Sequence, residues 1–116
     1  MAKSGLKDYK GAVEDYNKAI EFNCDNEYIY LSLGDMKTKL KDYIGAINNY
    51  NKFIELIPDS KEAYYKRGFA YFYSGDKDNA CKDWEKANVL GHGLTKILLE
   101  YNCKWSNLIK KTFNKI

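Results

Sequence analysis

The side chains that could do chemistry in this sequence are few and scattered. His92 is the single histidine and stands between Gly91 and Gly93, and no cysteine or serine pattern near it would make it a general base. The glycine spacing matches neither a phosphate-binding loop nor a dinucleotide-binding one. We therefore predict no catalytic residue, and we interpret the two glycines as the C-cap of a helix.

The three cysteines, Cys24, Cys81 and Cys103, show no CxxC spacing and have a single histidine to accompany them. A zinc site needs four such ligands at closer spacing, so we predict no metal and no cofactor. Reduced thiols are the expected state. Cys81 and Cys103 both lie on segments that we expect to be packed, so a bridge between these two remains an open alternative.

The composition is that of one small globular unit. Of the 116 residues 45% are hydrophobic, and 19 basic and 16 acidic side chains give a net charge of +3. These charges are spread along the chain, unlike the concentrated basic surface of a nucleic-acid groove. The first residues lack the apolar run of a secretion signal, and no segment approaches the roughly 18 apolar residues of a membrane span. We expect a cytoplasmic protein that binds neither nucleic acid nor membrane.

One phrase occurs twice, and this repetition predicts the elements that position the side chains. DYKGAVEDYNKAIEFNC at residues 8–24 returns as DYIGAINNYNKFIELIP at residues 42–58. The same shift relates Gly34 to Gly68. Apolar residues within each copy recur at the 3.6-residue spacing of a helix, on both sides of a short polar join. The pattern predicts helical hairpins, with helices near residues 8–22, 28–40, 44–57, 61–74 and 78–90.

In this frame the chain resembles the tetratricopeptide repeat (TPR) family, whose 34-residue unit is a helix–turn–helix with small and large residues at fixed positions. The matching residues are Tyr30, Leu33, Gly34, Ala46, Tyr50, Phe53 and Pro58 in one repeat and Tyr64, Gly68, Tyr71, Ala80, Trp84 and Ala87 in the next. The resemblance implies an all-α fold, a right-handed α–α superhelix or solenoid of TPR hairpins. It implies a partial repeat over residues 8–26, full repeats over 27–60 and 61–93, and an amphipathic capping helix or helices over 94–116.

Three local predictions follow from side-chain types. Glycine at positions 34 and 68 allows two paired helices to approach closely. Arg67 takes a place where the repeat usually has an apolar residue, and Asp83 on the paired helix is its expected salt-bridge partner. Asp59 or Ser60 is expected to cap the helix that follows Pro58, with Glu62 placed to return a capping-box bond to Asp59.

The final segment, residues 94–116, carries a long apolar stripe without Pro or Gly. Its members are Leu94, Ile97, Leu98, Tyr101, Trp105, Leu108, Ile109, Phe113 and Ile116. Their spacing predicts one helix, the first half of which caps the last repeat. Three alternatives stay open: a break near Cys103 with two capping helices, docking of a partner or a second copy on the stripe, and binding to a membrane surface.

The resemblance also implies the function. In this family the first helix of each repeat lines a concave groove, so the chain is expected to be a non-catalytic protein–protein interaction module, a scaffold that binds a peptide or helical segment. The implied groove residues are Tyr28, Leu31, Asp35, Glu62, Tyr65, Phe69, Phe72 and Tyr73. Helical geometry independently places residues 65, 69, 72 and 73 on one face.

Other interpretations compete with groove binding. The aromatic side chains could pack only against each other and the capping helix, or the chain could be a self-assembly element that uses its open N-terminal helix and its C-terminal stripe. A nucleic-acid binder through Lys104, Lys110, Lys111 and Lys115 is disfavoured by the mixed surface. A carboxylate clamp for acidic tails is also disfavoured, because the comparable positions hold Ser32, Glu62 and Lys66, and Glu62 would repel an anion.

Overall fold

The computed structural model describes residues 6–22 and 26–104, and every regular element in these ranges is helical. The elements are α1 (Leu6–Glu21), α2 (Tyr28–Lys39), α3 (Tyr43–Leu56), α4 (Lys61–Tyr73), α5 (Lys77–Val89), the short α6 (Thr95–Leu98) and a π-helical segment (Leu99–Lys104). Each of the first five helices begins and ends close to its predicted range. The prediction of an all-α fold built from helical hairpins is confirmed. Within the described ranges, no helix has the length and apolarity needed to cross a membrane.

The chain divides into two compact units, one ending at Asp59 and the other beginning at Ser60. In the first unit α2 packs against both α1 and α3. In the second unit α5 packs against α4, α6 and the π-helical segment. Each unit therefore contains one complete hairpin, α2–α3 or α4–α5, together with a further helical segment.

In each hairpin, a glycine on the first helix packs against a large aromatic ring on the second helix. A Cβ atom at Gly34 would overlap the ring of Tyr50, and a Cβ atom at Gly68 would overlap the indole of Trp84. Tyr50 is 1% exposed and Trp84 is fully buried. The predicted close approach of the paired helices is thus confirmed, since neither ring would fit beside an alanine without a shift of the helices.

The helix ends follow from local hydrogen bonding. Asp42, Ser60 and Asp76 cap α3, α4 and α5, and each accepts a hydrogen bond from a backbone N–H in the first turn of its helix. The cap of α4 is therefore Ser60, one of the two candidates. The predicted capping box with Asp59 is wrong, because the Glu62 carboxylate instead lies 3.4 Å from His92 Nε2.

The turn after α5 ends the helix on Gly91, which has a positive φ of 101°. The Gly91 N–H donates to the Asn88 carbonyl (3.0 Å) and the His92 N–H donates to the Ala87 carbonyl (2.9 Å). These are the two bonds of a Schellman motif, in which glycine relieves the steric penalty of a left-handed residue. Gly91 alone of the predicted glycine pair has this conformation.

The final segment, residues 94–116, differs from the single continuous α-helix that the apolar spacing predicted. The α-helix ends at Leu98, and residues Leu99–Lys104 adopt wider π-helical turns. Thr95 and Cys103 are buried, whereas Leu94, Ile97 and Tyr101 are 60%, 56% and 72% exposed. Within the π-helical turns the wider pitch changes which side chains face α5, so that Cys103 is inside and Tyr101 is outside. The remaining residues of the predicted stripe, from Trp105 onward, lie outside the described residues.

Candidate functional site

Four aromatic side chains of α4 form a connected surface in the second unit. Tyr65 meets Phe69 edge to face at 5.0 Å between ring centroids, Phe69 stacks on Tyr73 at 6.1 Å, and Phe72 meets Tyr73 edge to face at 5.7 Å. We call these residues the aromatic face of α4. All four were predicted from their register, and their ring contacts show that they form one patch.

Trp84 supports the aromatic face from α5. Its ring centroid lies 5.2 Å from that of Phe69 and 5.7 Å from that of Phe72. The indole Nε1–H donates to the Tyr65 carbonyl (3.3 Å), so the buried polar group of the ring has an acceptor. Tyr65, Phe69 and Phe72 are half-buried as a result, while Tyr73 remains 57% exposed.

His92 contacts one end of the aromatic face, and this contact was missed in the sequence. The imidazole stacks on Tyr65 with 3.9 Å between ring centroids and places Nε2 3.4 Å from the Glu62 carboxylate. Its Nδ1 is buried and has no hydrogen-bond partner among the described residues. Two predicted groove residues, Glu62 and Tyr65, are therefore engaged by the turn after α5. The repeat pattern in the sequence did not predict this stacking, because it placed His92 only at the end of a helix.

A charged pair lies inside the second hairpin, between α4 and α5. Arg67 Nε lies 2.7 Å from Asp83 Oδ2, and Arg67 Nη2 lies 2.6 Å from Asp83 Oδ1, which confirms the predicted salt bridge. Burial raises the pKa of the Asp83 carboxyl, although the hydrogen bonds from Arg67 act in the opposite direction. The guanidinium also lies over the ring of Tyr64, 5.4 Å from its centroid.

In the first unit the three predicted groove residues all lie on α2. Tyr28 is 55% exposed and its ring lies 5.3 Å from that of Phe53, while Leu31 is half-buried. The Asp35 carboxylate accepts a 2.7 Å hydrogen bond from the Tyr50 hydroxyl. Burial, reinforced by the neighbouring Asp35, raises the pKa of Tyr50. Asp35 therefore has a structural role, and Tyr28 is the most exposed of the three.

Two of the three cysteines are joined. Cys81 on α5 and Cys103 in the π-helical segment form a disulfide with a Cα–Cα distance of 5.7 Å. The prediction of reduced thiols is wrong for this pair, and the alternative bridge is the one observed. The physical reason is that the π-helical turns direct Cys103 inward onto α5, where it is 5% exposed. Within the part of the chain that the structure describes, no group of His, Cys, Asp and Glu side chains could hold a metal ion.

A family model described as TPR repeat matches residues 6–41 and again residues 34–75. The chain belongs to the TPR repeat family. The match covers α1 to α4, which include α2 with Gly34 and α4 with Gly68. TPR repeats are generally non-catalytic and typically mediate protein–protein interactions. The resemblance seen in the sequence is confirmed.

Solved TPR structures share the fold at low sequence identity. The first TPR of Spaghetti (RPAP3), bound to the HSP90 peptide SRMEEVD, is 22% identical and aligns with a TM-score of 0.68 over 94% of this chain and 80% of that chain. MamA from residue 41 to its end, from Desulfovibrio magneticus RS-1, is 19% identical and aligns with a TM-score of 0.71 over 94% of this chain and 67% of that chain. Neither identity supports more than a common fold. No curated protein matches the sequence.

Proposed function

We propose that this TPR protein is a non-catalytic protein–protein interaction module, and that the aromatic face of α4 is its main contact with a peptide or a helical segment. One observation carries the proposal: Tyr73 keeps 57% of its surface exposed while its ring contacts both Phe69 and Phe72. A ring that is braced by its neighbours and open to solvent loses little conformational entropy on binding. Aromatic residues of this kind are typical anchors of protein interfaces.

The same argument applies on a smaller scale to α2. Tyr28 is half-exposed and packs on Phe53, which is 1% exposed. We include Tyr28 and Leu31 as a second contact region, with Asp35 held in place by Tyr50. In the second unit, Glu62 adds an acidic side chain to the proposed site, and its carboxylate is half-exposed beside His92.

The negative charge of Glu62 at the proposed site disfavours an acidic partner. Ser32, Glu62 and Lys66 stand at the positions that the resemblance aligns with a carboxylate clamp, and the Glu62 side chain is 54% exposed. A carboxylate at this place repels an acidic tail such as the HSP90 peptide bound by the Spaghetti structure. We therefore propose an apolar or aromatic segment, without a cluster of acidic residues, as the partner.

The test is selection of peptides from a displayed random library on the immobilised protein, followed by affinity measurement in solution. Tyr73→Ala should weaken a selected peptide at least about tenfold, as expected for an aromatic anchor. Tyr101→Ala removes a ring that is 72% exposed outside the proposed site and serves as the matched control. Equal weakening by both changes, or by neither, would contradict the proposal, provided circular dichroism shows that both variants are folded.

A second candidate, self-assembly, is favoured by a different observation. Leu94, Ile97 and Tyr101 are all more than half exposed and follow one another at helical spacing. A second copy of the chain could cover them, since apolar surface of this kind is rarely left open without a role. Sedimentation velocity over a range of concentrations distinguishes the two functions. A concentration-dependent dimer that Ile97→Lys abolishes would support self-assembly, and a monomer throughout would rule it out.

A further inference from the structure

Residues 92–104, which we call the C-terminal segment, are attached to the second hairpin at two points. At the first, His92 stacks on Tyr65 of α4. At the second, the Cys81–Cys103 disulfide joins the π-helical segment to α5. Between these points the segment packs along α5. The segment thus begins on the aromatic face of α4 and ends on the helix that supports that face.

The core beneath the aromatic face is shared between α4 and the C-terminal segment. Ala80, Trp84 and Cys103 form a buried cluster in the second unit. Side chains from α4 pack against it on one side, and Leu98 and Leu99 contribute partly buried surface from the C-terminal segment. Trp84 is fully buried in this cluster, which α4 and the C-terminal segment both contact.

Several large apolar side chains of the C-terminal segment are turned away from the core of the second unit. Leu94, Ile97 and Tyr101 are more than half exposed, and the apolar side chains that the segment packs against the cluster are Leu98 and Leu99. Apolar burial is the main favourable term in packing, and between Thr95, which is fully buried, and Cys103 the apolar side chains of the segment are at most partly buried. The covalent bond at Cys103 is therefore the strongest attachment that holds the segment on α5.

We propose that the Cys81–Cys103 disulfide is a redox latch: its reduction releases the C-terminal segment from α5, uncovers Trp84 and enlarges the apolar surface next to the aromatic face of α4. The surface so exposed fits an amphipathic helix, because the chain's own helical segment occupies it in the oxidised form. The effect on binding depends on the proposed function, whereas the opening itself does not.

The chemistry is thiol–disulfide exchange with a dithiol as the reductant. One thiolate of the dithiol attacks the sulfur of Cys81, which is less buried than Cys103. The S–S bond breaks, and Cys103 leaves as a thiolate that takes up a proton. The second thiol of the dithiol then displaces Cys81 from the mixed disulfide. Two electrons pass to the protein, and the dithiol becomes a cyclic disulfide.

The opening is tested by fluorescence of Trp84. The sequence has two tryptophans, so Trp105→Phe leaves Trp84 as the single reporter, and Cys24→Ser leaves only the two bridged cysteines. Thiol titration first establishes that the purified protein holds no free thiol, and dithiothreitol then reduces it. We expect acrylamide quenching of Trp84 to rise several-fold on reduction, with the helical circular dichroism signal largely retained.

Three results would overturn the latch: free thiols in the air-oxidised protein, unchanged quenching after reduction, or collapse of the helical signal, which would make the bond a general support of the fold. The matched control is Cys81→Ser with Cys103→Ser, which should show high quenching regardless of dithiothreitol. Affinity for a library-selected peptide is measured in parallel. Increased quenching without any peptide binding to either form would support the latch and contradict the proposed function instead.

Discussion

At the scale of single residues, two equivalent positions in the hairpin turns share a left-handed backbone conformation, but only one of them is a glycine. Lys41 and Gly75 occupy the same place in successive repeats and end α2 and α4 in the same way. Both have positive φ, 64° at Lys41 and 96° at Gly75. Glycine adopts this conformation without penalty, whereas a side chain with a Cβ atom costs roughly 1 kcal/mol there. The first hairpin therefore contains a strained residue that the second avoids.

Replacing Lys41 with glycine should stabilise the protein. We expect Lys41→Gly to raise the free energy of unfolding by about 1 kcal/mol, because the left-handed conformation is no longer penalised. The matched change, Gly75→Ala, should lower it by a similar amount, although no atom lies within 4 Å of the added Cβ. Urea denaturation of both variants measures the effects, and a destabilised Lys41→Gly would contradict this interpretation of the turn.

A second residue-scale prediction concerns pH. The pKa of Tyr50 is raised by burial and by Asp35, so the folded state keeps this phenolic proton at a pH where the unfolded chain has lost it. The stabilisation is complete below the ordinary tyrosine pKa of about 10 and is lost as the pH rises above that value. Denaturation between pH 8 and 11 should show a steeper loss of stability for the native chain than for Tyr50→Phe. The exposed Tyr101→Phe should follow the native curve.

At the scale of elements, the pairing of a glycine with a large ring decides how close two helices lie. Gly68 faces Trp84 in the second hairpin, and Gly34 faces Tyr50 in the first. Because protein cores are packed as densely as crystals, one added methyl group at such a contact displaces a helix or a ring. The geometry of the aromatic face of α4 depends on this contact, since Phe69 and Phe72 both pack on Trp84.

We expect Gly68→Ala to lower the free energy of unfolding by about 1 to 3 kcal/mol through overpacking. Gly11→Ala in α1 is the control, because nothing lies within 4 Å of the added Cβ and alanine favours the helix by about 0.5 to 1 kcal/mol. Thermal denaturation followed by circular dichroism compares them. Similar effects of the two changes would show that the contact with Trp84 does not limit the packing.

The helical hairpins could be predicted from the sequence because their signals are local and occur twice. Glycine, alanine and aromatic residues that recur at one constant shift predict the helix bounds, and the charge at Arg67 predicts an acidic partner on the paired helix, which is Asp83. The C-terminal segment could not be predicted in the same way. Apolar spacing assumes the regular pitch of an α-helix, so a π-helical stretch turns Tyr101 outward and Cys103 inward.

The candidate site could be predicted only in part, because residue spacing assumes regular α-helices. Register alone placed Tyr65, Phe69, Phe72 and Tyr73 on one face of a helix. The stacking of His92 on Tyr65 depends on a turn geometry that sequence spacing does not encode, and the disulfide joins cysteines separated by 22 positions. Contacts made after the last repeat therefore could not be predicted from residue spacing.

At the scale of the whole molecule, the charge at the proposed site predicts selectivity among peptides. The chain shares its fold with a TPR structure that holds the peptide SRMEEVD. We expect this chain to bind that peptide at least about tenfold more weakly than a selected apolar peptide, because Glu62 repels its acidic residues. Fluorescence polarisation with both labelled peptides measures the difference. Equal affinity would show that the acidic side chain does not discriminate.

The Arg67–Asp83 pair has a consequence for how a repetitive chain finds its correct partners. The first hairpin has Leu33 and Asn49 in the equivalent places of its own repeat. If α4 paired with α3, the guanidinium would be buried opposite an amide, and if α2 paired with α5, the carboxylate of Asp83 would be buried opposite leucine. An uncompensated buried charge costs about 3 to 5 kcal/mol. Electrostatics thereby distinguishes helices that share one repeat pattern, which disfavours hybrid hairpins both within one chain and between two unfolded copies.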